Sequence, residues 1–83
     1  MAPDSAREWV LYVRDGCHLC EEFLLALELE VGPSARQVRV VDVAQDSQVA
    51  VRYGLRVPVL EVGGHLVCEG RYDAPRVRQA LQV

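Results

Sequence analysis

Cys17 and Cys20, three residues apart, are the side chains in this sequence best suited to chemistry. A thiolate is a nucleophile, and two thiols one helical turn apart can form and break a disulfide. The stretch around them reads Val10-Leu11-Tyr12-Val13-Arg14-Asp15-Gly16-Cys17-His18-Leu19-Cys20-Glu21-Glu22. Its apolar, valine- and aromatic-rich start predicts a buried strand. Asp15-Gly16 is a turn signal, and an acidic, leucine-rich segment with helical spacing follows. The pair therefore opens a helix. There, unpaired backbone N–H groups and the positive end of the dipole favour a Cys17 thiolate. Thiols in such Cys-x-x-Cys settings titrate at roughly 3.5 to 7.5 instead of about 8.5. Cys17 is thus predicted to be the nucleophile. Cys20, one turn further in, belongs to a buried stripe and is predicted to resolve the mixed disulfide.

The neighbours admit plainer roles. His18 would stabilise the thiolate when protonated, but an exposed imidazole is mostly neutral at neutral pH, so a surface residue is the simpler reading. Leu19 offers a small apolar contact beside the thiol. Glu21 and Glu22 oppose the thiolate mildly, through solvent that screens them. A metal site is the structural alternative, because Cys17, Cys20, His65 and Cys68 supply the four nitrogen and sulfur ligands that zinc takes. Against it, His65 and Cys68 are three apart on a predicted strand, pointing to opposite faces about 10 Å apart. Redox chemistry is favoured and no metal is expected. Cys68 alone reads as a small strand hydrophobe.

Composition sets the bounds. Eighty-three residues make a single domain over 1–83, with 1–6 expected to be a flexible tail. Half of the residues are hydrophobic and a quarter charged, which predicts a globular chain. All nine basic residues are scattered arginines, and the net charge is −3, so no basic stripe exists to follow nucleic acid. Apolar runs such as Phe23 to Leu27 are far too short to span a bilayer, and the first residues lack a signal-peptide pattern. Three cysteines make no disulfide framework. A cytoplasmic protein is expected, in which a close cysteine pair is catalytic or metal-binding rather than structural.

The elements that must hold the pair follow from periodicity. The first strand is predicted over Glu8–Arg14, central and covered on both faces. A helix over Cys17–Glu30 buries Cys20, Phe23, Leu24, Leu27 and Val31 along one stripe, and Gly32-Pro33 ends it. A second buried strand is predicted over Gln37–Val43. Asp46 or Ser47 caps a short helix over Gln48–Tyr53, closed by Gly54. Strands over Val57–Val62 and His65–Glu69 flank a Gly63-Gly64 hairpin. Asp73 caps a last helix, with Val77 and Leu81 facing inward. The order β-α-β-α-β-β-α predicts an α/β fold, parallel pairing early and antiparallel pairing late.

Three segments carry a resemblance across nearly the whole chain. Arg14-Asp15-Gly16-Cys17-His18-Leu19-Cys20, Arg56-Val57-Pro58 and Glu69-Gly70-Arg71-Tyr72-Asp73 resemble, in that order, the active-site loop, the Val-Pro motif and the Gly-Gly-x-x-Asp segment of the glutaredoxins. The chain is most similar to the small bacterial glutaredoxin-like proteins of the thioredoxin-like superfamily. The resemblance implies a thioredoxin-like, glutaredoxin-type fold: a four-stranded mixed sheet flanked by three helices. It implies a cis Pro58, against a base rate of about 5–6% for X-Pro bonds, and a Val57 backbone that holds a peptide or the cysteinyl part of glutathione. Arg14, Gly70 and Asp73 fit the glutathione-binding pattern, while also serving as a strand end, a strand terminator and a helix cap in any fold. Departures are His18-Leu19 where the family typically has Pro-Tyr, Glu69 in place of the first glycine, and Tyr72 in place of a small hydroxyl residue.

The expectation is a monomeric thiol–disulfide oxidoreductase. It has no bound cofactor and uses glutathione as co-substrate. Its partners are disulfide-containing proteins, with a thioredoxin or glutathione reductase system behind it, and neither nucleic acid nor membrane. Two alternatives stay open: a non-catalytic thioredoxin-fold binding module, and a metal or iron–sulfur carrier using Cys17.

Overall fold

The structure, a computed structural model, describes residues 8–82. The expected 1–6 tail lies outside the described residues. The elements are β1 (Trp9–Val13), α1 (His18–Val31), β2 (Arg39–Asp42), α2 (Ser47–Tyr53), β3 (Val59–Val62), β4 (His65–Glu69) and α3 (Ala74–Gln82). Their order is the predicted one. Two short 3₁₀ helices, Gly32–Gln37 and Val43–Gln45, were not foreseen. The sheet order is β2-β1-β3-β4, with β1 parallel to β2 and antiparallel to β3, and β3 antiparallel to β4. This is the four-stranded mixed sheet with three helices of a thioredoxin-like fold.

Strand alternation sends side chains to two separate cores. On one face Leu11, Phe23, Leu27, Leu60, Cys68 and Val77 pack α1 and α3 against the sheet. On the other, Val43, Tyr53 and Val59 pack with Tyr12, Val49 and Val57 beneath α2. The α1 stripe is as expected, with Cys20, Phe23 and Leu27 buried and Leu24 and Val31 packed at its margin. Each fully buried Leu or Phe contributes roughly 1.5–3 kcal/mol relative to exposure.

Three expectations change. β2 is an edge strand with Arg39 and Val40 exposed, so it is not buried. Valine content alone cannot tell an edge from a centre. Leu81 is 45% exposed rather than facing inward, since α3 buries Val77 alone among its described residues. The register of β3 with β4 shifts between Leu60 and Glu61, a bulge that sets His65 opposite Val62 and Cys68 opposite Leu60. Those partners are two apart and share a face. The bulge thus cancels the alternation that was to separate His65 from Cys68.

Candidate active site

After β1 the chain reverses through Arg14–Cys17, where the Cys17 N–H donates to the Arg14 carbonyl at 3.3 Å. Gly16 stands at φ 74°, a left-handed conformation that costs glycine little. The turn delivers Cys17 as the N-cap of α1, extended at φ −92°, ψ 106°. Its Sγ accepts from the Cys20 N–H at 3.1 Å. That donor is one of the first N–H groups of the helix, which have no intrahelical carbonyl. A sulfur bearing negative charge there gains from this donor and from the dipole.

Cys17 and Cys20 are joined in a disulfide, their Cα atoms 5.2 Å apart. Cys20 is 4% exposed while Cys17 is half-buried, so an incoming thiol reaches Cys17 first. His18 is exposed, with its Nε2 2.9 Å from Glu22 Oε2 one helical turn on. Leu19 is 43% exposed and gives the disulfide an apolar neighbour.

The other motif residues gather at the same end of the sheet. Tyr12 pairs with Val59 and Val59 with Glu69. The end of β1, the start of β3 and the end of β4 therefore stand side by side within roughly 10 Å. Arg14 and Cys17 leave the first, Val57 and Pro58 enter the second, and Gly70 and Asp73 leave the third. The Val57–Pro58 bond is cis. Among the described residues no backbone–backbone hydrogen bond uses the N–H or C=O of Val57. The Gly70 N–H, at φ 80°, donates to the Pro58 carbonyl at 2.8 Å, joining two of the three segments.

Asp73 is a helix cap: its Oδ1 accepts from the Arg76 N–H at 3.2 Å and its carbonyl from the Val77 N–H at 3.0 Å. Arg14 is exposed, and its guanidinium donates to the Gly54 carbonyl at the end of α2. Gly54 is needed there, since a Cβ would run into the Ala50 carbonyl oxygen and stand 3.2 Å from the Arg14 guanidinium. The sequence reading missed this tie and one other. Arg56 Nη2 donates to Glu69 Oε1 at 2.7 Å, while its Nε lies 3.2 and 3.3 Å from the two carboxylate oxygens. Arg56 holds the Glu69 carboxyl below the usual range, and Glu69 raises the guanidinium. Opposite charges beside Val57-Pro58 and Gly70 were the available signal, but their pairing depends on the β3–β4 register.

Cys68 is 5% exposed, and burial pushes its thiol up, against a hydrogen bond from the Asp73 backbone that lowers it. It is a protonated core thiol. No group of three or more His, Cys, Asp or Glu side chains among the described residues is arranged to hold a metal. No helix among them is long and apolar enough to cross a membrane.

Residues 8–82 match the family described as glutaredoxin-like domain (DUF836). No curated protein matches the chain. Among solved structures, target protein XcR50 from X. campestris is 33% identical with a TM-score of 0.68, over 89% of this chain and 95% of that one. Protein Ne2328 from Nitrosomonas europaea, solved by NMR, is 29% identical with a TM-score of 0.76, over 89% of each chain. A Cys-x-x-Cys pair at a helix start, on a thioredoxin-like sheet, fits a thioredoxin-type redox role. With the match spanning nearly the whole sequence, the chain belongs to the glutaredoxin-like domain (DUF836) family.

Proposed function

We propose that this protein is a thiol–disulfide oxidoreductase of glutaredoxin type, with Cys17 as nucleophile and Cys20 as resolving thiol. The observation that carries the reading is the asymmetry of the pair. Cys17 caps α1 with its sulfur on a helix N–H, and Cys20 is buried one turn behind it. In the reduced protein the Cys17 thiolate attacks one sulfur of a substrate disulfide, forming a mixed disulfide and expelling the other sulfur as a thiolate. Cys20 then gives up its proton and attacks the Cys17 sulfur. The second substrate thiolate leaves, the Cys17–Cys20 disulfide closes, and two electrons have passed to the substrate. Two glutathione thiols restore the dithiol and leave as glutathione disulfide.

The unpaired N–H and C=O of Val57 are suited to hold an extended peptide next to the sulfur, in the manner of an added strand. Leu19, Gly70 and Asp73 would border the bound peptide and exposed His18 would lie at its solvent side, whereas the Pro58 ring is fully buried and would not touch it. Such cycling belongs in a reducing compartment, which we take to be the cytoplasm, with the protein acting as a monomer on disulfide-bearing proteins.

Turnover of a glutathionylated peptide by reduced glutathione tests this. Cys17→Ser is expected to abolish it, and Cys20→Ser to keep mixed-disulfide turnover while losing reduction of intramolecular protein disulfides. Turnover that survives in Cys17→Ser would contradict the assignment.

A further inference from the structure

The two segments that would border the substrate carry opposite charges on adjoining side chains. Arg56 directly precedes Val57-Pro58, and Glu69 ends β4 directly before Gly70. Each nitrogen of the Arg56 guanidinium has a partner: Nη2 and Nε face the Glu69 carboxylate at 2.7–3.3 Å, and Nη1 lies 3.4 Å from the Arg52 carbonyl. Both side chains are almost four-tenths exposed, at 39% and 38%, so solvent and a ligand can reach the pair. Glu69 pairs with Val59, which puts it on the α2 face of the sheet, the face on which Val57 packs. A planar guanidinium beside an unpaired backbone segment is a natural receptor for the carboxylate of a peptide-like ligand. Here that receptor is filled by a carboxylate of the chain itself.

We propose that Glu69 is a built-in competitor for Arg56 and sets the charge selectivity of the Cys17 site. Its carboxylate occupies the guanidinium that a substrate carboxylate would engage. The site therefore favours disulfides that are uncharged beside the sulfur, as within a polypeptide, over small carboxylate-bearing disulfides such as glutathione disulfide. This rests on Cys17 acting as the thiolate nucleophile. The exchange that reports on it is balanced: the Cys17 thiolate displaces one thiolate from a symmetric disulfide and retains the other half as a mixed disulfide.

The test uses the full chain with Cys20→Ser, so that the mixed disulfide accumulates and is read by intact mass. Second-order rate constants are measured with glutathione disulfide, which is anionic, and with bis(2-hydroxyethyl) disulfide, which is neutral. Adding Glu69→Gln is expected to raise the anionic-to-neutral rate ratio about two- to fivefold at low salt, the size of an exposed charge pair. The gain is expected to shrink at about 0.5 M salt, where screening is short-ranged. Adding Arg56→Lys to Glu69→Gln keeps the charge but loses the fork, and is expected to remove most of the gain. An unchanged ratio, or equal changes in both rates, would overturn the proposal and leave the pair as a tie between strands. A gain that survives Arg56→Lys would overturn it in favour of a long-range field. No reaction with either disulfide would instead refute Cys17 as nucleophile, and the proposal with it.

Discussion

Single atoms decide much in a small domain. The Tyr72 hydroxyl is buried without a hydrogen-bond partner, although its ring stands edge-on to Phe23 at 5.2 Å. A buried hydroxyl left unpaired costs about 1–3 kcal/mol. Tyr72→Phe keeps the ring contact and removes that cost, so it is expected to stabilise the protein by about 1 kcal/mol. Thermal melting checks it, with a rise of about 4–8 °C. Burial, together with the charge of Glu30, pushes Tyr72 up to about 12. Burial and the hydrogen bond to Glu61 at 2.8 Å push Tyr53 up to about 12 as well. The folded state keeps two phenolic protons that the unfolded chain releases near 10, so this stabilisation is full below pH 10 and lost as pH rises to about 12. The urea midpoint is expected to fall across that window, and to fall less in the Tyr53→Phe/Tyr72→Phe variant. The sequence marked Tyr72 only as large for its place. That its hydroxyl ends without a partner depends on how α1, β4 and α3 close around it, which no local pattern encodes.

Among the elements, α1 was the most legible, because its stripe repeats over several turns and its stop, Gly32 at φ 60°, is a glycine signal. The cap of α2 was legible too. Asp46 Oδ1 accepts from the N–H groups of Gln48 and Val49 at 2.8 and 3.3 Å. This helix has seven residues and is marginal without its ends. Its last turn supplies the Gly54 carbonyl that receives Arg14, so the cap also supports the turn before Cys17. Asp46→Ala is expected to cost about 1 kcal/mol, read as a lower urea midpoint with an unchanged slope. The edge position of β2, the 3₁₀ segments and the β4 bulge were not legible. Each depends on what lies beside the strand rather than on the strand's own residues. The bulge carried the largest consequence, since it reversed the facing assumed for His65 relative to Cys68.

For the molecule as a whole, the sheet brings three distant pieces of chain to one end. β1 delivers the Arg14–Cys17 turn, β3 begins from a cis Val57–Pro58 bond, and β4 hands Gly70 to the Pro58 carbonyl. The order of the three pieces was readable in the sequence because each carries its own turn or breaker residues. The contacts between them were not, since the Arg14–Gly54 and Arg56–Glu69 ties span 40 and 13 residues and exist only once the registers are set. The central claim is that this convergence makes Cys17 and Cys20 a reversible two-electron couple. A titration in glutathione redox buffers, read by intact mass after alkylating free thiols in denaturant, tests it most directly. Two alkylatable thiols are expected to disappear together at one potential, with Cys68 alkylatable throughout and the step abolished in Cys17→Ser. A pair that stays in one state across the whole range of buffers would contradict it.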